Sequence, residues 1–275
     1  MPNNKKLTLF DFQTSEDSAD IYSTKKTWLK GEVIFKEIGT GKPVLTLHNK
    51  VIIAGSQFIA QKLFDLPELV ALPTYNEALS LDESVAHGTT PNNVPKACLF
   101  CCGTQGCGSE NSQVVPVQYT NWIKPYSDLV PFRYQLKQND LSDADRAKYF
   151  GRKTLDDRFA YYFKAFESDP KMYMRYVDGT VIDANLYDST NTTDAETFVE
   201  MNLRITKDDF RDYFRATTGI NDARINSLSI LTAWYTEGSG YKWYQDIIPT
   251  TQLNIPNESL IDLTKGIDIT YHIYF

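Results

Sequence analysis

The sequence contains few of the residues that most often carry catalysis or bind metals. Only 3 histidines occur in 275 residues, and His48, His87 and His272 lie far apart in the chain. None of them belongs to an H-E-x-x-H motif or stands beside a cysteine at a zinc-binding spacing. G-x-S-x-G is also missing, and the glycines of segment 103–108 have neither Walker A nor G-x-G-x-x-G offsets. The sequence therefore predicts no catalytic residue, no cofactor and no enzymatic activity.

An excess of basic charge and a long apolar run are missing as well. The chain has 28 Lys+Arg against 35 Asp+Glu, which gives a formal net charge of −7. Because phosphate binding needs a basic face, a direct nucleic-acid role is disfavoured. No apolar stretch precedes Asp11, so we expect no secretory signal. The longest apolar run, 51–54, is far shorter than the ~20 residues that span a bilayer, so we expect a cytoplasmically made protein without a membrane segment.

The 4 cysteines all lie within segment 98–107. Cys98, Cys101, Cys102 and Cys107 could supply the four thiolates of a zinc site. However, such sites usually use two separated C-x₂-C pairs, whereas two of these cysteines are adjacent and no second pair follows. The favoured interpretation is reduced thiols packed as small apolar side chains beside a glycine-rich turn. A disulfide is the third alternative, and a reducing cytosol disfavours it.

What the sequence has in abundance is strand patterns and turns. Apolar and polar residues alternate in segments 199–205, 228–234 and 267–275, which is typical of half-buried antiparallel strands. Asp178-Gly179 and segment 237–240 have the composition of hairpin turns. We therefore expect an α+β, mainly β fold with an antiparallel β-sandwich or barrel-like core. A few short helices complete a single structural domain over residues 1–275.

Helices are predicted at three places. The apolar spacing over 49–64 indicates a helix with Asn49 as its N-cap. Ser142 and Thr206 each begin a sequence that resembles a capping box, so each is expected to start a short helix. In contrast, segment 66–112 is rich in proline and glycine and is predicted to be an extended loop or arm, although a series of short strands is an alternative.

Paired carboxylates and aromatic side chains were the remaining candidates for a chemical role. Asp156-Asp157 and Asp208-Asp209 are sequence neighbours, which do not face each other as a glycosidase pair must. Asp208-Asp209 is better explained as charge at a helix start. The 17 Tyr and 15 Phe could stack on sugars or bases, but the same residues favour a core or a protein interface.

Four stretches of the sequence, taken in their order along the chain, are distinctive. They are the expected helix 49–64, segment 106–113 leading to 130–134, strand 225–234 and the closing strand 266–275. This order resembles that of virion structural proteins of large contractile-tailed bacteriophages. It is similar to the head–tail joining proteins of the neck or collar and to related tail-attachment components, over residues 45–275.

The resemblance implies a non-enzymatic structural subunit that is located in the virion. Its partners would be copies of itself and other virion proteins in a ring-like assembly, with no direct nucleic-acid specificity. No catalytic, cofactor or metal residue carries over. A baseplate or capsid-surface protein is the alternative within this class. From another class, a carbohydrate-binding or carbohydrate-hydrolysing protein would need a cleft of aromatic side chains with two facing acids.

Overall fold

The computed structural model describes eleven parts of the chain. They are residues 30–52, 55–57, 59–60, 74–82, 95–106, 114, 129–186, 194–219, 224–238, 241–256 and 265–275. In these parts the fold is mainly β, as predicted. None of the helices within them is long and apolar enough to cross a membrane.

The described strands form one antiparallel sheet of 14 strands, which is not closed into a barrel. The strands are β1 (Lys30–Lys36), β2 (Pro43–Val51), β3 (Lys96–Gly103), β4 (Leu129–Val130), β5 (Arg133–Leu136), β6 (Tyr149–Thr154), β7 (Arg158–Ala165), β8 (Lys171–Tyr176), β9 (Val181–Asp183), β10 (Ala195–Ile205), β11 (Ser227–Gly238), β12 (Tyr241–Pro249), β13 (Thr251–Asn254) and β14 (Ile267–Tyr274). Their order is β5-β7-β3-β11-β13-β2-β1-β14-β10-β8-β9, and β4, β6 and β12 pair with β3, β7 and β11.

Short helical elements connect these strands. They are α1 (Tyr75–Leu79), α2 (Asp143–Arg146), α3 (Arg211–Ala216) and the 3-10 turns Lys137–Asn139 and Ala184–Leu186. Residues 55–57 and 59–60 are also helical.

The sheet has two halves whose inner faces share one apolar core. The first half comprises β1, β2, β8, β9, β10 and β14, and the second comprises the remaining strands. Val33, Leu203 and Tyr271 of the first half pack in the same cluster as Phe100 and Ile230 of the second. A side chain buried in this way contributes about 1.5–3 kcal/mol relative to an exposed one. The shared core therefore gives the open sheet the layered arrangement of a sandwich.

A second core covers the opposite face of the second half. Tyr75 and Leu79 of α1 pack there with Leu99, Phe163 and Leu231. The second half is consequently buried on both faces, whereas the first half carries a row of polar side chains on its outer face. This difference explains why β7 has aromatic residues on both of its faces.

Several local predictions are confirmed. Met201, Leu203 and Ile205 of β10 all point into the shared core, as their alternation indicated. The Asp178-Gly179 turn joins β8 to β9, with Gly179 at φ +87°. β11 and β12, on either side of the second predicted turn, pair antiparallel up to Gly238 and Tyr241, and residues 239–240 lie outside the described parts.

Two predictions about long segments are wrong in part. Residues 49–51 belong to β2, so Asn49 is a strand residue and not a helix N-cap. Its side chain lies against Gly31 on the neighbouring strand, where a Cβ atom would come within 1.2 Å of Asn49 Oδ1. The segment 66–112 is not one extended loop, because it contains α1 and the central strand β3. Residues 66–73, 83–94 and 107–112 lie outside the described parts.

The two capping boxes have different outcomes. Ser142 caps α2 by accepting a hydrogen bond from the Asp145 amide at 3.3 Å. That short helix ends at Arg146, and β6 begins at Tyr149. At the second site the Asp209 carboxylate accepts the Thr206 amide at 2.7 Å, but helix α3 starts only after Phe210, whose φ is +64°.

Candidate functional site

The strongest candidate for an interaction surface lies at one end of the sheet, around hairpin β8–β9. Eight large hydrophobic side chains are exposed in the described part of the chain, and four of them belong to this hairpin or to the turn after it. They are Met172 (52% exposed), Val177 (82%), Val181 (47%) and Leu186 (74%), here called the hairpin surface. The register pairs Val181 with Arg175 and Ile182 with Met174, so Val181 and Met172 lie on opposite faces of the hairpin, and the exposed apolar side chains are spread over both faces.

The backbone at the hairpin surface is equally suited to contacts. β9 is the last strand in the order of the described sheet, and its pairing there is with β8. An edge strand presents N–H and C=O groups along its open side, which another chain can pair with. Phe275, which follows β14 two strands further in, adds a 54% exposed ring, while its own amide donates to the Thr197 carbonyl of β10 at 2.9 Å. Phe275 is thus held by the sheet through its backbone.

A row of polar side chains crosses the outer face of the first half. The strand registers place Glu32 of β1 and Glu200 of β10 on either side of His272 of β14. His272 Nε2 lies 3.1 Å from Glu200 Oε2, and Nδ1 lies 3.5 Å from Glu32 Oε2. Because an ionised carboxylate can only accept, this contact is a hydrogen bond in the tautomer that carries N–H at Nε2.

Aromatic and basic groups support this row from one side. Tyr274 OH donates to Glu32 Oε2 at 3.2 Å and accepts from Arg175 Nη2 at 2.6 Å. Burial, together with the Glu32 charge, raises the pKa of Tyr274 to about 12, so the phenol remains a donor at neutral pH. The ring of Phe198 lies 4.8 Å from the imidazole of His272. His272 is only 7% exposed, so the row as it stands ties strands β1, β14 and β10 together.

This row is the feature that a carbohydrate-active protein would use. Glu32 and Glu200 are two acids in the same face, with Tyr173, Phe198 and Tyr274 nearby. In hydrolases the two acids flank a cleft that holds the sugar. Here the imidazole of His272 occupies the space between them.

The fold places the side chains of the neighbouring residues Asp208 and Asp209 in different environments. Asp208 is half-exposed and pairs with Arg211 at the start of α3. Asp209 is buried, and Oδ2 lies 2.8 Å from Lys164 Nζ. Its other contacts are the Tyr149 hydroxyl at 2.7 Å and the Thr206 amide at 2.7 Å.

Every contact of the Asp209 carboxylate is with a hydrogen-bond donor, so the group is held in place. Lys164 also donates to the Arg204 carbonyl at 2.7 Å, and its side chain is only 2% exposed. Burial, reinforced by the Asp209 charge, raises the pKa of Tyr149, which keeps its proton on the hydroxyl. The network therefore links β7, β6 and the turn before α3 within the core.

The cysteines are not brought together by the fold. Cys101 packs in the second core and Cys102 in the shared core, because consecutive residues of β3 point to opposite faces. Cys98 packs against the second core, and Cys107 lies outside the described residues. Cys101 and Cys102 cannot ligate the same ion from opposite faces of a strand. Across the described part of the chain, no three or more His, Cys, Asp or Glu side chains converge on a metal-sized site.

Many of the aromatic side chains in the described parts of the chain pack in the core. The largest fully buried side chains include Tyr75, Tyr161, Tyr271, Phe35, Phe100, Phe132, Phe163 and Phe210. Phe132 packs its ring on that of Phe210 at 4.5 Å and on that of Phe100 at 5.1 Å. Among the described residues, the largest aromatic side chains therefore lie mainly in the core.

Comparison of the chain with protein-family models, with curated protein sequences and with solved structures gives no match. The functional argument therefore rests on the geometry described above.

Sequence reasoning missed the Lys164–Asp209 pair and the His272 row. Lys164 follows an aromatic run in which a buried lysine is not expected, and its partner is 45 positions away. Contacts between charged residues that are far apart in the sequence can be predicted only when the strand register is known. The alternation in β14 did place His272 opposite the core, which was the available signal.

Proposed function

We propose that this chain is a non-enzymatic structural subunit of a bacteriophage virion that acts through contacts with copies of itself and with other virion proteins. A position in the head–tail joining region, within a ring-like assembly, agrees with the resemblance of stretches 130–134, 225–234 and 266–275. The protein would be made in the cytoplasm of the bacterial host and incorporated into the particle.

The observation that carries the proposal is the hairpin surface. Subunits of a ring meet through unlike surfaces that close by rotation, and such contacts need apolar area at their centre and a rigid support. Hairpin β8–β9 offers exposed Val181 and Leu186 on a hairpin that continues the large sheet. Its partner strand β10 packs in the shared core, which fixes the position of the hairpin.

Mass photometry of the purified protein over a range of concentrations tests self-association. We expect assemblies larger than one chain, and we expect the double variant Val181→Glu/Leu186→Glu to shift them towards the single chain. The matched control is Ile38→Glu/Val44→Glu, which places two charges on exposed apolar residues around the β1–β2 turn. A protein that stays a single chain at every concentration, or a control that acts as strongly, would count against the proposal.

Two further measurements separate the alternatives. Mass spectrometry of purified phage particles should detect the chain as a stoichiometric component. A baseplate or capsid-surface protein would also be detected in these particles, and its location in a density map of the particle would distinguish it from a neck protein. Binding to a glycan array, or hydrolysis of a polysaccharide that is lost in Glu200→Gln, would instead favour the carbohydrate-active alternative built on the outer-face row.

A further inference from the structure

A groove lined by two arginines lies beside β5, at the opposite end of the strand order from hairpin β8–β9. It is formed between β5, the turn after it, the start of β7 and helix α3, and it has a volume of about 360 Å³. This volume falls within the range of small-molecule sites, roughly 300–1,000 Å³. Its polar lining consists of Tyr134, Gln135, Asn139, Arg158, Asp212 and Arg215.

The two guanidinium groups of the groove have little negative charge to neutralise them. Arg158 has its nearest carboxylate, Asp157 Oδ2, at 3.7 Å, and that carboxylate is 71% exposed. Arg215 has no carboxylate within ion-pair distance among the described residues. The groove also presents Asn139, whose side chain makes no hydrogen bond in the described part of the chain. Three side chains with N–H donors are therefore open to a ligand.

The carboxylate of the groove lining, that of Asp212, already has a hydrogen-bond partner and a nearby basic group. Asp212 Oδ2 accepts from Gln135 Nε2 at 3.2 Å, and Oδ1 lies 3.7 Å from Arg211 Nε. Arg211 is not part of the groove lining, so it offsets the Asp212 charge without reducing the number of guanidinium groups that face the groove.

Ring stacking fixes one of the two guanidinium groups. The Arg158 group lies over the Tyr134 ring at 5.0 Å, and Tyr134 in turn meets the Tyr213 ring edge-on at 5.7 Å. A guanidinium that lies over a ring face can still offer its N–H groups to a planar acceptor. Leu136 and Ala216 add apolar surface to the same groove.

We propose that this groove binds a monocarboxylate, with Arg158 and Arg215 holding the carboxylate and Leu136 and Ala216 in contact with its apolar part. A carboxylate matches the planar fork of a guanidinium in a bidentate pair. A phosphate dianion fits less well, because Asp212 also lines the groove and repels the second negative charge. The carboxylate can belong to a free organic acid or to a glutamate side chain of another protein.

Isothermal titration calorimetry at constant ionic strength tests the proposal on the full chain. The probes are benzoate, a capped peptide with one glutamate, and inorganic phosphate. We expect saturable binding of benzoate or of the peptide, with phosphate weaker than either. Tighter binding of benzoate identifies a free acid as the ligand class, and tighter binding of the peptide identifies a protein partner.

Three substitutions show whether binding takes place in this groove. Arg158→Gln and Arg215→Gln should each weaken binding about tenfold, because each removes charged hydrogen bonds. Arg224→Gln changes an exposed arginine that does not line the groove and should leave binding unchanged. Asp212→Asn should strengthen binding, which keeps the test decisive if an arginine variant fails to fold. No saturable binding of either carboxylate probe, or equal binding by all variants, would overturn the proposal.

Discussion

Replacing Lys164 by methionine is expected to destabilise the protein strongly without changing the size of the buried side chain much. The substitution removes the Nζ group that lies 2.8 Å from Asp209 Oδ2 and 2.7 Å from the Arg204 carbonyl. Asp209 keeps its hydrogen bonds from Tyr149 and Thr206 but loses its counter-charge. Because its carboxylate is fully buried, water cannot replace the lost ammonium group.

The expected loss follows from that uncompensated charge. Removing one partner of a buried ion pair costs about 3–5 kcal/mol, more than the net value of the pair itself. Asp209→Asn should be costly as well, because it leaves the buried Lys164 ammonium without a counter-charge, although the amide oxygen can still accept some of the hydrogen bonds that Tyr149, Thr206 and Lys164 donate. In the double variant the two uncharged side chains face each other, so the two costs should not add. We expect a coupling free energy of about 2 kcal/mol between the two positions.

Urea unfolding followed by circular dichroism measures these free energies for the wild type, both single variants and the double variant. Lys207→Met is the matched control, because Lys207 is exposed, and it should change stability by less than about 0.5 kcal/mol. A cost below about 1 kcal/mol for Lys164→Met, or additive single costs, would refute the buried pair described here.

Two further predictions concern other contacts between distant segments. Gly31→Ala should lower the free energy of unfolding by about 1–3 kcal/mol, because the new Cβ would lie 1.2 Å from Asn49 Oδ1. Adding Asn49→Ala in the same chain should restore part of the loss. An unchanged melting temperature of the Gly31→Ala variant would contradict this prediction. Burial opposes ionisation of Asp82, but hydrogen bonds from Thr154 and Arg152 outweigh it and hold the pKa of Asp82 below its ordinary value. The unfolded chain therefore takes up this proton first, and the stabilisation is present above the unfolded pKa and lost as pH falls through the folded one. Asp82→Asn should accordingly destabilise the protein at pH 7 and differ less from the wild type near pH 3, as urea unfolding at both pH values would show; a difference independent of pH would be inconsistent with it.

The parts of the fold that were predictable are those where one strand face meets the core and the other does not. Met201, Leu203 and Ile205 alternate with polar residues because β10 has only its inner face in the shared core. Gly179 was predictable because a tight turn requires a left-handed backbone that glycine adopts easily.

β3 was missed because its burial does not alternate. Both faces of this strand are covered, and the register shift at Cys98 places Cys98 and Leu99 in the same core. The sequence therefore shows an unbroken apolar run over residues 97–102, between Lys96 and Gly103. Such a run is typical of a strand buried on both faces, and it was the signal available.

The candidate sites depended on strand register, which the sequence does not contain. Glu32, Glu200 and His272 come from three strands that become neighbours only when β14 inserts between β1 and β10. The hairpin surface has a similar origin, since Val181 and Leu186 are exposed because β9 ends the described sheet.

An electron cryo-microscopy map of the intact phage particle tests the central claim most directly. The account predicts several copies of the chain arranged around the head–tail axis, with Val181 and Leu186 buried against a neighbouring subunit. A complete map in which the chain has no density, or in which hairpin β8–β9 of every copy faces solvent, would contradict it.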